Sequence, residues 1–109
     1  MEISGWRRVW LMVLFDLPVK TRVDRRNYRL FHKDLLKDGF QMAQFSVYVR
    51  FCPSVENSEV HEGRVKAALP PEGQVRLMLL TDKQFERMKI FVGKKLVVPE
   101  QPQAQLLLF

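Results

Sequence analysis

Residues 9–16, Val9-Trp10-Leu11-Met12-Val13-Leu14-Phe15-Asp16, form an unbroken apolar run that ends on a carboxylate. Eight residues are far too few to span a bilayer, and the run is rich in strand formers. Continuous rather than alternating apolarity predicts a central strand buried on both faces. Pro18 closes it, because proline has no N–H to give a sheet. Arg7 and Arg8 precede the run as a signal peptide's basic region would. No small-residue cleavage site follows, so a strand is the expected reading.

Downstream, the spacing predicts a helix from about Thr21 to Lys37, with Thr21 as N-cap. At 100° per residue Tyr28, Phe31 and Leu35 share one face. Arg22, Arg26, Arg29, Lys33 and Lys37 share nearly the opposite one. Gly39 suits the left-handed position that ends such a helix. Phe40–Gln44 and Ser46–Phe51 are expected as two strands around a very tight turn. A second helix is expected over Asn57–Leu69, stopped by Pro70-Pro71, with His61, Val65, Ala68 and Leu69 on its apolar side. Gln74–Leu80 reads as a strand, Lys83–Lys89 as a short helix or turn, and Ile90–Val92 and Leu96–Val98 as short apolar pieces around Gly93. The order β-α-β-β-α-β, with an extra C-terminal strand, predicts an α+β, ferredoxin-like fold. Residues 1–98 are expected to form that domain. Residues 99–109 are expected to be a linker and a strand, Leu106–Phe109, packing on the sheet of this chain or of a partner.

The 109 residues carry a net charge of +6 and include a single cysteine. One cysteine excludes an internal disulfide framework or a cysteine-built zinc or iron–sulfur site, and suits a reducing cytoplasm. The basic balance favours an anionic partner, nucleic acid before a membrane surface. Between Lys20 and Lys37 lie seven Lys/Arg (Lys20, Arg22, Arg25, Arg26, Arg29, Lys33, Lys37) against Asp24 and Asp34, an excess of five that is nearly the whole net charge. A solvated face usually mixes signs; this one does not, and it is read as a phosphate-contacting stripe.

Asp16 has two readings. It is a turn cap before Pro18, or, with its copy across a two-fold axis, a ligand for a shared Mg²⁺. His61 is read as a structurally satisfied histidine. His32, on the first helix's flank, is read as surface or phosphate contact. Tyr48 is a base-stacking candidate with core packing as the alternative. Phe45 is expected in the core, and Cys52 as a small buried hydrophobe. No nucleophile triad, glycine-rich phosphate loop or zinc spacing is present.

Leu14-Phe15-Asp16-Leu17-Pro18, the basic helix after it and Gln44-Phe45-Ser46-Val47-Tyr48 resemble the small CRISPR-associated spacer-acquisition family, the second of the two universal Cas proteins. Lys37-Asp38-Gly39-Phe40, Leu69-Pro70-Pro71-Glu72-Gly73 and Thr81-Asp82-Lys83-Gln84-Phe85-Glu86 resemble its type II version. The resemblance implies a ferredoxin-like homodimer. Its partners would be the large CRISPR integrase subunit and a duplex DNA prespacer, with RNA as an alternative substrate and no membrane. It also implies metal-dependent endonuclease chemistry with Mg²⁺ (or Mn²⁺) held by the two copies of Asp16. Ser46, expected to be catalytic alongside Asp16, then matches the serine after the family's glutamine, and Arg25 and Arg26 fall near its helix arginines. Phe15 stands where some members carry Tyr, and Met42 where some carry Arg. Both departures bear on the nuclease more than on the scaffold. A toxin-like, metal-dependent endoribonuclease of the same fold, acting on mRNA, is the alternative.

Overall fold

A computed structural model describes residues 7–102. The elements are β1 (Val9–Asp16), α1 (Arg22–Lys37), β2 (Gln41–Gln44), β3 (Val47–Cys52), α2 (Val55–Ala67), β4 (Gln74–Thr81), α3 (Asp82–Glu86), β5 (Ile90–Val92) and β6 (Lys95–Val97). The main sheet is antiparallel in the order β2-β3-β1-β4, so the expected ferredoxin-like α+β arrangement is the one observed. No helix among the described residues is long and apolar enough to cross a membrane.

β1 is central because both its faces are apolar, as its unbroken run required. Val9, Leu11, Val13 and Phe15 face α1 and α2 and join Phe31, Leu35, Tyr48, Cys52 and Val65 in the larger core. Trp10 and Met12 face the other way, with Val49, Phe51 and Phe85. There the Trp10 ring stacks on Phe85 at 4.0 Å and meets Phe51 edge-on at 5.5 Å. The indole N–H donates to Asp82 at 2.9 Å, so the buried polar atom is satisfied.

α1 starts where expected. Thr21 and Asp24 form a reciprocal capping box, satisfying two N–H groups that the helix leaves free. At its other end Asp38 ties α1 to α2: its carboxylate binds His61 Nδ1 at 2.8 Å and accepts from Arg64 at 2.7 Å. Gly39 sits at φ +92°, the left-handed conformation expected of it.

Several boundaries differ from expectation. α2 begins two residues earlier than Asn57, at Val55, because Ser54 is the N-cap and accepts the Asn57 N–H at 3.0 Å. Leu69 lies beyond the helix and is exposed, not on its apolar side. α3 ends at Glu86, short of Lys89. Among the described residues β5 and β6 pair only with each other, as a separate hairpin turned at Gly93, and not with the main sheet. Leu106–Phe109, the expected extra strand, lies outside the described residues.

Candidate nucleic-acid interface and strand-end carboxylate

Asp16 is the last residue of β1, opposite Gln74 of β4, and is exposed. It borders an open depression with Leu14, Phe15, Gln74 and Arg76. A close backbone approach holds the strand end. A Cβ on Gly73 would lie 2.6 Å from Leu17 Cδ2 and 2.8 Å from the Asp16 carbonyl oxygen, so only glycine fits, and its φ of +99° agrees. On the other side the Phe15 N–H donates to the Ser46 carbonyl at 3.1 Å. The fold thus brings Asp16 and Ser46, distant in sequence, to one corner of the sheet. Ser46 is itself a non-glycine at φ +67°.

No group of three or more His, Cys, Asp or Glu side chains among the described residues is placed to hold a metal. Asp16 is exposed and makes no side-chain hydrogen bond or ion pair among the described residues, which leaves its carboxylate open to a ligand there. A carboxylate fills one or two positions of an octahedral magnesium shell. Asp16 could therefore fill one or two positions of a magnesium shell.

Along α1, Arg22, Arg26, Arg29, Lys33 and Lys37 are all exposed, and none forms an ion pair with another described residue. Unpaired cations in a row keep their full charge for phosphates. Arg25 is also exposed but is tied down, donating to the carbonyls of Val19 at 3.3 Å and Lys20 at 3.0 Å. Part of its role is therefore to brace the loop between Asp16 and α1.

Two aromatic assignments are corrected. Tyr48 is fully buried. Its ring stacks on Phe15 at 5.5 Å, and its hydroxyl is hydrogen-bonded to His32 Nδ1. Burial, and then the nearby Tyr28 phenol, push its pKa above the ordinary tyrosine value. Strand alternation points Tyr48 at the helices, so it cannot stack on a base. His32 is correspondingly spent on Tyr48. Phe45 is the reverse case, 74% exposed instead of in the core, because it belongs to the β2–β3 turn and not to a strand.

His61 and Cys52 behave as read. His61 is buried and satisfied by Asp38. Cys52 is buried, and burial raises its thiol pKa, which keeps it unreactive. Arg76 escaped notice in the sequence. It shares the open sheet face with Leu14, directly opposite it, and lies beside Asp16. A lone cation inside the apolar alternation of Gln74–Leu80 is the signal that marks it.

A family model described as "CRISPR associated protein Cas2" matches residues 9–88. A protein of Flavobacterium psychrophilum named "CRISPR-associated endoribonuclease Cas2" is 49% identical over 108 residues, covering 99% of this chain and 94% of that protein. One of the same name from Parvibaculum lavamentivorans is 50% identical over 101 residues, covering 93% of this chain and all of that protein. Another, from Ligilactobacillus salivarius, is 45% identical over 86 residues, covering 79% of this chain and 85% of that protein. With the family match over most of β1 to α3, and with the carboxylate-ended central strand and basic helix in place, this chain belongs to the CRISPR-associated Cas2 family.

Proposed function

We propose that this protein serves CRISPR adaptation as the dimeric, nucleic-acid-binding subunit of the spacer integrase, and that it carries a magnesium-dependent endonuclease centre. The observation that carries the reading is the row of unpaired cations on α1, on the side turned away from the core. Such a row grips a phosphate backbone without reading bases, as a subunit that carries duplexes of any sequence must. The endoribonuclease name of the relatives supports the nuclease half. The dimer is supported by apolar surface that is exposed among the described residues. Met78 is 45% exposed on the open half of the sheet, and Phe91, Val92, Leu96 and Val98 are exposed on and just after the β5–β6 hairpin.

Within the dimer, Asp16 of each copy would hold Mg²⁺ or Mn²⁺. The ion, when bound, supplies an acidified water and neutralises charge on the phosphate. The protein's own contribution is position. Gly73 and the Ser46 carbonyl fix the strand end, and Arg76 beside it offers a cation to a phosphate oxygen. Ser46 acts as a positioning residue through its backbone.

The test is equilibrium binding of a fluorescent DNA duplex over a salt series. Wild type is expected to bind with affinity falling steeply with salt. Arg22→Glu, Arg26→Glu and Arg29→Glu together are expected to abolish binding with the circular dichroism spectrum unchanged. Undiminished binding by that triple variant would overturn the assignment of the stripe. Co-purification with the large integrase subunit separates the adaptation role from the toxin-like one, which needs no such partner.

A further inference from the structure

We propose that Phe45 is a stacking platform for one unpaired nucleobase, placed beside the Asp16–Ser46 strand end. The inference rests on the reading that the protein binds nucleic acid, and it names the form of nucleic acid this corner takes. Phe45 exposes 74% of its surface at the tip of the β2–β3 turn. Its sequence neighbours Gln44 and Ser46 are both polar.

The ring is held and not merely exposed. Tyr28 of α1 lies parallel to it, 5.9 Å away at 20°. Tyr28 meets Phe15 edge-on at 5.9 Å, and Phe15 stacks on the buried Tyr48. Phe45 is thus the outermost rung of an aromatic ladder rooted in the core, and no second ring covers it among the described residues. The turn backbone is equally fixed. Ser46 stays at φ +67°, a conformation that a non-glycine residue keeps only where its surroundings impose it, and its carbonyl is bonded to the Phe15 N–H at 3.1 Å.

Charge next to the platform suits a nucleotide. Arg25 lies one helical turn before Tyr28 and is exposed. Arg25 is steadied by the Val19 and Lys20 carbonyls. A flat π-face with a fixed cation beside it takes a base on the ring and its phosphate on the Arg25 guanidinium, and every base has a π-face. In a blunt duplex the bases are already stacked on one another, so the platform favours single-stranded or frayed substrate.

The experiment compares wild type, Phe45→Ala and Phe45→Trp. Two probes are used: a single-stranded RNA carrying 2-aminopurine, and a blunt DNA duplex of equal length. Circular dichroism and light scattering accompany the titrations. Truncating an exposed side chain leaves the core intact, so Phe45→Ala is expected to fold. Single-strand affinity is expected to fall about 10-fold in Phe45→Ala, the scale of one base–aromatic stack. Phe45→Trp should restore it, and duplex affinity should stay unchanged. Wild-type binding to single strands that Phe45→Ala leaves intact overturns the stacking proposal alone. So does an equal loss on both probes, or a change of oligomeric mass in Phe45→Ala, which would make the ring an interface residue. Failure of wild type to bind either probe overturns the nucleic-acid reading, and this proposal with it.

Discussion

The two faces of the sheet are built from the same strands but finished differently. On the first, α1 and α2 cover Val9, Leu11, Val13 and Phe15, and the layer between them holds a buried histidine and a buried cysteine. On the second, α3 covers only the end around Trp10, while the end around Leu14, Arg76 and Asp16 stays open. The sealed face shows what keeps the chain folded. The open corner holds a carboxylate and a cation that form no ion pair among the described residues. Stability and the proposed chemistry are thereby assigned to opposite faces of one sheet.

The largest effect should come from breaking the sealed face. Phe31 is buried to 1% exposure between α1 and the sheet and meets Phe15 edge-on at 5.2 Å. Phe31→Ala is expected to cost about 3–5 kcal/mol, read from the midpoint of a denaturant titration. A loss below roughly 1 kcal/mol would mean that the helix layer is not what holds the sheet.

A smaller loss, confined to acid, should come from the same layer. Burial lowers the pKa of His61; the Asp38 hydrogen bond opposes this, while Arg50 and Arg64 add to the lowering. The folded state therefore keeps His61 neutral where the unfolded chain takes up a proton, near pH 6.5. The sign follows from linkage: the unfolded state binds more protons, so stability rises with pH. The contribution is complete above about pH 6.5 and is lost as pH falls below it. His61→Asn, which keeps a donor for Asp38, should flatten the melting temperature between about pH 7 and pH 5 relative to wild type. Parallel pH profiles for both proteins would remove His61 as the cause.

The smallest change in stability belongs to the open corner. Asp16 is exposed and has no side-chain partner among the described residues, so Asp16→Asn should shift stability by no more than about 0.5 kcal/mol. The same variant should lose magnesium-dependent cleavage of RNA or DNA. Equal cleavage by both proteins would leave Asp16 as a turn cap. A large loss of stability would show that the two faces are not separable.

Element order, the central place of β1 and the basic side of α1 were legible in the sequence. All depend on local physics: an unbroken apolar run, a 3.6-residue period, a capping threonine, and prolines that cannot continue a strand or helix. The pairing of Asp16 with the Ser46 corner was not legible as geometry, because the Phe15–Ser46 hydrogen bond joins residues thirty-one apart. Nor were the roles of Phe45 and Tyr48. Both sit in one aromatic stretch, Phe40 to Phe51, where composition is uniform and register alone assigns each ring to core, turn or surface. A turn centred on Phe45 and Ser46 sends one ring outward, and the strand after it sends the other inward. Sequence patterns record which residues prefer burial. Only the assembled sheet, with one face covered and the other half open, decides which of them receive it.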